Sequence, residues 1–196
     1  MENRFAFFDV DCYEKCDAGF TFRPRVKPIG NRVEKLHALA EERGVRLVFT
    51  TCCDGRMLKP GEDDEILFVP VESEKTDWLN KLDASRIIYL HKLAWGSVKG
   101  DIEHVAWDMF LHNKNASRLI QTLNIPQWYV FGNGMDLCVS SAAKGILAAG
   151  SGVTLISDVM ISSANGTKES MEKTIVDLCA MGAKRTTYDE FFEAMK

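Results

Sequence analysis

The sequence predicts an α/β fold of the Rossmann-like, three-layer type, in which helices cover both faces of a mostly parallel sheet of about six strands. Short apolar runs alternate with amphipathic segments along the 196 residues, as in repeated strand–helix units. The runs are apolar throughout rather than alternating with polar residues, which is typical of strands buried on both faces. No internal repeat, low-complexity tract or linker divides the chain, so we expect a single domain, residues 1–196.

The first half of the chain supplies three of these strands and one clear helix. Strands are predicted at 4–10, 45–50 and 86–90. An apolar stripe at helical spacing predicts a helix over 31–43 that ends at Gly44. The remaining segments are predicted as loops at 12–30 and 55–65, a short edge strand at 66–69 and a brief helix at 74–82.

The second half is organised around a βαβ unit at 129–158. An apolar strand at 128–131 leads through a Gly-rich turn into a helix that opens near Cys138. A second Gly-rich stretch then precedes a strand at 153–156. The other elements predicted here are a helix at 105–123 with an interruption near 113–115, a helix from the Thr167–Ser170 region to Met181, a strand at 184–187 and a terminal helix at 188–195.

Composition narrows the classes of partner. The net charge of −4 gives no electrostatic reason to bind nucleic acid or an anionic membrane. No apolar run is long enough to span a bilayer, and the N-terminus leads directly into a strand, so we expect neither a membrane anchor nor a signal peptide. The six cysteines are scattered through a core-forming chain, which favours reduced thiols and a cytoplasmic location.

Cys138 is the first candidate for chemistry. A helix N-terminus favours an anion, so the thiolate of Cys138 is expected to be stabilised there. Gly132 and Gly134 would let a ligand approach the turn amides, which could then bind the oxyanion of a tetrahedral intermediate. The alternative is a buried structural cysteine, because free cysteine is among the most buried residue types.

Two further polar residues follow predicted strands. Asp9 ends the first strand and Lys92 follows the strand at 86–90. The carboxyl ends of parallel strands share one edge of the sheet, so Asp9, Lys92 and Cys138 are expected to meet there. A carboxylate can take and return the thiol proton, and an ammonium beside it would stabilise both anions. Tyr13, Phe22 and Trp95 are weaker candidates to line the pocket.

The motifs around these residues resemble a known family. DVD at Asp9, YLHKLAWGS around Lys92 and GNGMDLCVSSAAKGILAAGSGVTLISD around Cys138 together resemble the isochorismatase-like cysteine hydrolases, which include nicotinamidases, carbamoylsarcosine amidases and isochorismatases. The resemblance implies an amidase-branch hydrolase of a small amide or related C–N bond, acting through an acyl-enzyme on Cys138. It also implies an Asp9–Lys92–Cys138 triad, an oxyanion hole from the amides of Met135 and Cys138, and a cis peptide between Gly134 and Met135.

The same resemblance implies a homo-oligomer, a dimer or tetramer, and no organic cofactor. The family's nicotinamidases carry an Asp-x-His metal pair after the second strand, whereas Cys52, Cys53 and Asp54 stand here with no histidine in the following loop. We therefore expect no metal, with Cys52 and Asp54 as the weak candidates should zinc or another divalent metal bind. The stretch 98–114 resembles an insertion that could cover this site or a neighbouring subunit's.

Three alternatives stay open. FFDVDCY, FTT, Lys92 and GNGMD also resemble a haloacid-dehalogenase-type, Mg²⁺-dependent phosphatase, with Asp9 as nucleophile, Asp11 as acid/base and Asp136 on the metal. The chain could instead keep the fold as a non-catalytic binding or assembly module. A zinc or redox site could also be built from four cysteines, Cys12, Cys16, Cys52 and Cys53. His37 is expected to be exposed on its helix.

Overall fold

The computed structural model describes residues 5–16, 19–51, 56–58, 68–70, 86–95 and 108–196. The strands in this part of the chain are β1 (Ala6–Cys16), β2 (Gly19–Phe22), β3 (Leu47–Thr51), β4 (Arg56–Leu58), β5 (Phe68–Pro70), β6 (Ile87–Leu90), β7 (Leu93–Trp95), β8 (Gln127–Asn133), β9 (Gly152–Ile161) and β10 (Lys184–Thr186). The α-helices are α1 (Gly30–Arg43), α2 (Met109–His112), α3 (Lys114–Leu123), α4 (Ser140–Ala148), α5 (Lys168–Ala180) and α6 (Tyr188–Ala194). A 3₁₀ helix, Pro24–Ile29, precedes α1, and a π-helical turn, Met135–Val139, precedes α4.

One eight-stranded sheet forms the middle layer. Its strands follow the order β10-β9-β8-β1-β3-β6-β5, and β2 pairs with β1 outside that path. All the pairings are parallel except β1 with β2 and β5 with β6. The predicted Rossmann-like, mostly parallel sheet is confirmed, although it has more strands than the six expected. β3 and β8 pair with opposite sides of β1 in parallel, so the strand order reverses at β1 and the carboxyl ends of these three strands surround a common crevice.

The sheet separates two cores, which we call the front face and the back face. The front face carries α2 to α5 and includes Phe8, Val10 and Cys138. The back face carries the 3₁₀ helix, α1 and α6, and includes Phe7 and Phe131. Because successive strand residues point to opposite sides, neighbours such as Phe7 and Phe8 belong to different cores. Both faces are covered, as the uninterrupted apolar strands predict.

The first strand is longer than predicted. β1 continues to Cys16 and turns into a hairpin with β2, in a region predicted to be a loop. Tyr13 pairs with Phe22 across this hairpin, and their ring centroids are 4.4 Å apart. Cross-strand aromatic contact of this kind stabilises a hairpin that Gly and Pro in the surrounding sequence had suggested was irregular.

The other predicted elements are largely found where the structure describes them. The helix at 31–43 ends at Gly44, which has φ +63°. The break near 113–115 lies at Asn113, whose side chain accepts a hydrogen bond from the backbone N–H of Asn115 at 3.0 Å. The edge strand near 66–69 is confirmed as β5, whereas part of the loop at 55–65 forms β4, paired with β7. The helix predicted at 74–82 lies outside the described residues.

The βαβ unit is confirmed, with β8 and β9 both longer than predicted. α5 and α6 begin with capping boxes at Thr167 and Thr187, which satisfy backbone N–H groups at each helix start. In the part of the chain that the structure describes, no helix is long and apolar enough to cross a membrane.

Candidate active site

A bulge in β1 decides which aspartate reaches the edge of the sheet where Lys92 and Cys138 lie. Pairing of β1 with β3 shifts register between Val10 and Tyr13, and Asp11 within this interval has φ +56°. This left-handed conformation costs a residue other than glycine about 1 kcal/mol, although Asp tolerates it better than most. In a regular strand Asp9 and Asp11 would point to the same face. The bulge turns Asp11 to the front face, while Tyr13 packs on the back face.

Asp11 is held by two strand-end residues. Its Oδ2 forms an ion pair with Lys92 Nζ, and its Oδ1 accepts a hydrogen bond from Thr50 Oγ1 at 2.7 Å. Thr50 Oγ1 in turn accepts a 3.3 Å hydrogen bond from the Asp11 backbone N–H. Asp11 is fully buried and Lys92 is 1% exposed. A buried, charge-assisted pair of this kind fixes the carboxylate at the ends of β1, β3 and β6.

Cys138 completes the cluster from β8. It lies in the π-helical turn and is 9% exposed. Burial, the charge of the Asp11 carboxylate and a hydrogen bond to it together raise the pKa of its thiol to about 12, against the opposing effect of the Lys92 ammonium. The expected stabilisation of the thiolate at rest is therefore wrong, because desolvation and Asp11 outweigh the favourable charge of Lys92. At rest the Cys138 side chain is therefore a thiol beside a carboxylate.

Gly134 shapes the space next to the sulfur. Its φ is +79°, and a Cβ built on it would lie 3.6 Å from both the Sγ and the backbone N of Cys138. A side chain there would occupy the space next to the sulfur and the amide of Cys138. The carbonyl of Gly134 accepts hydrogen bonds from the N–H groups of Leu137 at 2.9 Å and Val139 at 3.0 Å, which tightens the turn that carries Cys138.

The predicted cis bond between Gly134 and Met135 is wrong, because this peptide is trans. The positive φ of Gly134 turns the chain sharply enough without it. Met135 is fully buried on the front face. Just before the turn, a Cβ on Gly132 would lie 2.1 Å from the carbonyl oxygen of Val10. Only glycine at position 132 lets β8 approach β1 this closely.

Asp9 does not join this cluster. It is fully buried, and its Oδ2 lies 2.9 Å from Nε2 of His37 on α1, behind the sheet. Lys92 pairs with Asp11 instead, so the predicted meeting of Asp9 with Lys92 and Cys138 is replaced by one of Asp11 with the same two residues. The cause is the bulge at Asp11. The expectation that His37 is exposed is also wrong, since it is 2% exposed.

The aromatic residues predicted to line the pocket lie elsewhere or are not described. Tyr13 is fully buried in the back core, and Phe22 packs against that core. Because Cys138 belongs to the front core, these two rings lie on the other side of the sheet from the sulfur. The side chain of Trp95 lies outside the described residues, so its role stays a prediction.

The phosphatase alternative needs Asp9 and Asp11 side by side, and the structure separates them. Asp9 as nucleophile would also have to be accessible, yet it is fully buried. The Asp136 carboxylate, the metal ligand in that alternative, accepts hydrogen bonds from the backbone N–H of Ser163 at 2.6 Å and from its hydroxyl at 2.9 Å. Asp136 therefore anchors the loop after β9.

Most of the residues predicted as weak candidates for metal binding lie outside the described part of the chain. Among the residues that are described, no group of three His, Cys, Asp or Glu side chains could hold a metal ion. Cys52, Cys53 and Asp54, and the side chain of Cys16, lie outside it, as do residues 98–107 of the predicted insertion. Cys12 is buried on the back face. The expectations about metal and insertion stay predictions.

Thr50 and the role of Asp11 were missed from the sequence. Thr50 ends an apolar strand next to a second threonine, a pattern that gives no sign of which hydroxyl faces Asp11. For Asp11, the enrichment of Asp in left-handed conformations is the one available signal, and it is weak.

With this geometry in hand, comparisons with known proteins identify the fold. No protein-family model and no curated protein matches the sequence. Several solved structures do match. The nicotinamidase of Staphylococcus aureus has a TM-score of 0.62 at 12% identity, over 94% of this chain and 99% of that one. A pyrazinamidase of Pyrococcus horikoshii in complex with zinc gives 0.60 at 16% identity, over 94% and 99%.

The N-carbamoylsarcosine amidase of Thermoplasma acidophilum gives a TM-score of 0.58 at 14% identity, over 95% of this chain and 98% of that one. All three matches extend over nearly the full length of both chains. The chain therefore has the isochorismatase-like α/β fold, and the resemblance seen in the motifs is confirmed at the level of the fold.

Proposed function

We propose that the chain is a cysteine hydrolase of a small amide or related C–N bond, with Cys138 as nucleophile, Asp11 as the proton-transfer residue and Lys92 as the electrostatic partner. The observation that carries this proposal is the contact of one buried carboxylate with both a lysine and the thiol of Cys138. Support also comes from the fold, because the neighbours described above are amidases. Fold alone does not determine function, so the proposal depends on the site.

The raised pKa of Cys138 indicates how the thiol would be activated. At neutral pH the thiol holds its proton, so attack on a carbonyl carbon requires transfer of that proton to Asp11. The S–C bond then forms, and the carbonyl oxygen becomes an oxyanion. Lys92 lowers the cost of the thiolate because its positive charge acts on the sulfur.

The amides of Met135 and Cys138 are proposed to donate to the oxyanion. They belong to the turn that presents the sulfur, and Gly134 leaves space beside both the Cys138 amide and Sγ. Donors fixed in a water-excluding turn stabilise developing charge without reorganisation. The same turn would thus supply the nucleophile and its electrostatic support.

The remaining steps use the same carboxyl group. Asp11 returns the proton to the leaving nitrogen as the C–N bond breaks, which leaves a thioester on Cys138. Asp11 then takes a proton from water, the hydroxide attacks the thioester, and the C–S bond breaks as the sulfur regains that proton. The net reaction converts an amide and water into an acid and an amine. No step is assigned to a metal.

The test is a panel of amides with ammonia release as the readout. The panel contains nicotinamide, pyrazinamide and N-carbamoylsarcosine, each incubated with wild type, Cys138→Ala and Asp11→Asn. We expect release from at least one amide by the wild type, loss in Cys138→Ala and a large reduction in Asp11→Asn. Equal release by wild type and Cys138→Ala would contradict the proposal.

Two parallel measurements address the alternatives. Hydrolysis of p-nitrophenyl phosphate with Mg²⁺, abolished by Asp9→Asn, would favour the phosphatase. Failure of every amide, together with no adduct on Cys138, would favour a binding module.

The expected homo-oligomer is tested by sedimentation of the purified protein, and the expected cytoplasmic location by fractionation of cells that produce it.

A further inference from the structure

A second polar cluster lies behind the catalytic site, on the back face of the same strand. Asp9 is fully buried, and His37 Nε2 lies 2.9 Å from its Oδ2. His37 Nδ1 lies 3.5 Å from the hydroxyl oxygen of Tyr13. Burial and then the Asp9 charge raise the pKa values of the Cys12 and Tyr13 side chains, which places both near the same carboxylate. We call Asp9, Cys12, Tyr13 and His37 the back cluster.

The back cluster spans the bulge that aims Asp11. Asp9 precedes the bulge, and Cys12 and Tyr13 follow it, so its members hold β1 on both sides of Asp11. His37 links them because it contacts Asp9 through one ring nitrogen and Tyr13 through the other. α1 thereby fixes the two ends of a segment whose middle residue has an unfavourable φ of +56°.

Stability does not explain why this position is polar. Besides the contact with His37, the Asp9 carboxylate interacts with the thiol of Cys12, which is a weak hydrogen-bond donor. A buried ion pair can often be replaced by apolar side chains at no cost in stability, because desolvation offsets the attraction. The neighbouring Phe131, whose ring centroid lies 6.0 Å from that of His37, shows that apolar side chains pack at this point of the back core. Buried polar contacts depend on geometry more strictly than apolar contacts do. They therefore favour one backbone arrangement over other compact arrangements.

We infer that the Asp9–His37 pair, with Tyr13, is a positioning device that holds the β1 bulge and so aims Asp11 at Cys138. His37 is a positioning residue, since it touches neither Lys92 nor Cys138 and acts through β1. The effect on turnover rests on the proposed function. The effect on the thiol of Cys138 does not, because Asp11 raises the pKa of that thiol whatever reaction follows.

The test compares three variants in α1. His37→Phe keeps the size of the ring and removes both ring nitrogens, His37→Gln keeps an N–H that can reach Asp9, and Leu36→Ala destabilises the same helix from a fully buried apolar position. Two quantities are measured well below each melting temperature. The first is the rate of alkylation of Cys138 by iodoacetamide at pH 8, monitored by peptide mass spectrometry. The second is kcat on any amide that the wild type hydrolyses.

We expect His37→Phe to accelerate alkylation of Cys138 several-fold and to lower kcat about tenfold at similar KM, because a displacement of about 1 Å suffices for such a loss. His37→Gln restores both values to within about twofold of wild type, as rescue by a retained N–H requires. Leu36→Ala lowers the melting temperature and leaves both values unchanged. Should His37→Phe not fold, Tyr13→Phe gives a smaller change in the same direction.

Two results would overturn the inference. The first is an alkylation rate in His37→Phe equal to that of wild type or, should that variant not fold, such a rate in Tyr13→Phe. The second is an equal change in His37→Phe, His37→Gln and Leu36→Ala, which would indicate a merely structural role. If the wild type hydrolyses no amide, the proposed function fails while the alkylation comparison still decides whether the back cluster positions Asp11.

Discussion

Two aspartates two residues apart in β1 are surrounded by the same kinds of residue on opposite faces of the sheet. On the front face Asp11 meets Lys92 and the thiol of Cys138. On the back face Asp9 meets His37 and lies near the thiol of Cys12. Both carboxylates are fully buried. A carboxylate, a basic side chain and a thiol therefore do not by themselves make an active site.

The two clusters differ in the solvent access of the cysteine and in the backbone geometry around it. Cys138 is 9% exposed and follows a Gly turn that leaves space at its amide, whereas Cys12 is fully buried within β1, between the bulge at Asp11 and the hairpin pairing that begins at Tyr13. The amide of Cys138 lies next to this space and could face a ligand, whereas the backbone carbonyl of Cys12 accepts a hydrogen bond from the N–H of Arg23 at 3.1 Å. The difference teaches that the site is defined by the turn after β8 as much as by its side chains.

The largest expected difference between the two clusters is in the cysteines. Cys138→Ala should lower kcat/KM for an amide substrate by about 10³-fold or more, because the covalent step is lost. Cys12→Ala should leave kcat/KM within a few-fold of wild type. Steady-state ammonia release by the two purified variants checks this, and comparable losses in both would remove the distinction between the faces.

The next largest difference is expected between the losses of kcat that follow replacement of the two aspartates. Asp11→Asn should lower kcat by about 10² to 10⁴-fold, since the carboxamide cannot take up the thiol proton. Asp9→Asn should have at least tenfold less effect, because its carboxamide keeps an oxygen at the position that lies 2.9 Å from His37 Nε2. The measurement is kcat at saturating amide, with circular dichroism as the control for folding. A larger loss in Asp9→Asn would restore the triad first predicted from the sequence.

That first prediction shows what the sequence could and could not reveal. The fold follows from apolar strands, Gly stops and the βαβ unit, all of which are local patterns. Lys92 and Cys138 could be located because they follow strand ends. The choice between Asp9 and Asp11 could not be made, because it depends on one positive φ at Asp11. The burial of His37 depends on Asp9 facing α1, which is again a tertiary effect.

Replacing the basic partners of the two aspartates should change the free energy of unfolding by different amounts. Lys92→Met leaves the buried Asp11 carboxylate without its ion-pair partner, and loss of one partner from a buried pair costs about 3 to 5 kcal/mol. His37→Gln keeps a donor near Asp9 and should cost less. Urea unfolding at neutral pH measures both free energies of unfolding, and an unchanged midpoint for Lys92→Met would indicate that the Lys92–Asp11 pair contributes little.

The smallest expected effect is on the pH dependence of stability, and here the cysteines on the two faces should behave alike. Burial raises the pKa of both Cys12 and Cys138 above the ordinary value, for Cys138 to about 12. Above about pH 9 the unfolded thiol loses a proton that the folded thiol keeps, so the unfolded state binds fewer protons and the free energy of unfolding falls as pH rises. Each thiol contributes about 1.4 kcal/mol per pH unit in this range.

Replacement of either cysteine by alanine should therefore make the alkaline decrease in stability shallower by that amount. Urea midpoints for wild type, Cys138→Ala and Cys12→Ala between about pH 8.5 and 10.5 provide the check. Parallel curves for all three proteins would show that neither thiol keeps its proton in the folded state.

The rate of Cys138 alkylation by iodoacetamide at pH 8, compared in Asp11→Asn and Asp9→Asn, distinguishes the two aspartates without any substrate. If Asp11 is the carboxylate at the sulfur, its neutralisation lowers the pKa of the thiol, and alkylation accelerates about tenfold for each unit of that decrease. Asp9→Asn should then react at close to the wild-type rate. Acceleration in Asp9→Asn with no change in Asp11→Asn would show that the wrong aspartate has been placed beside the nucleophile.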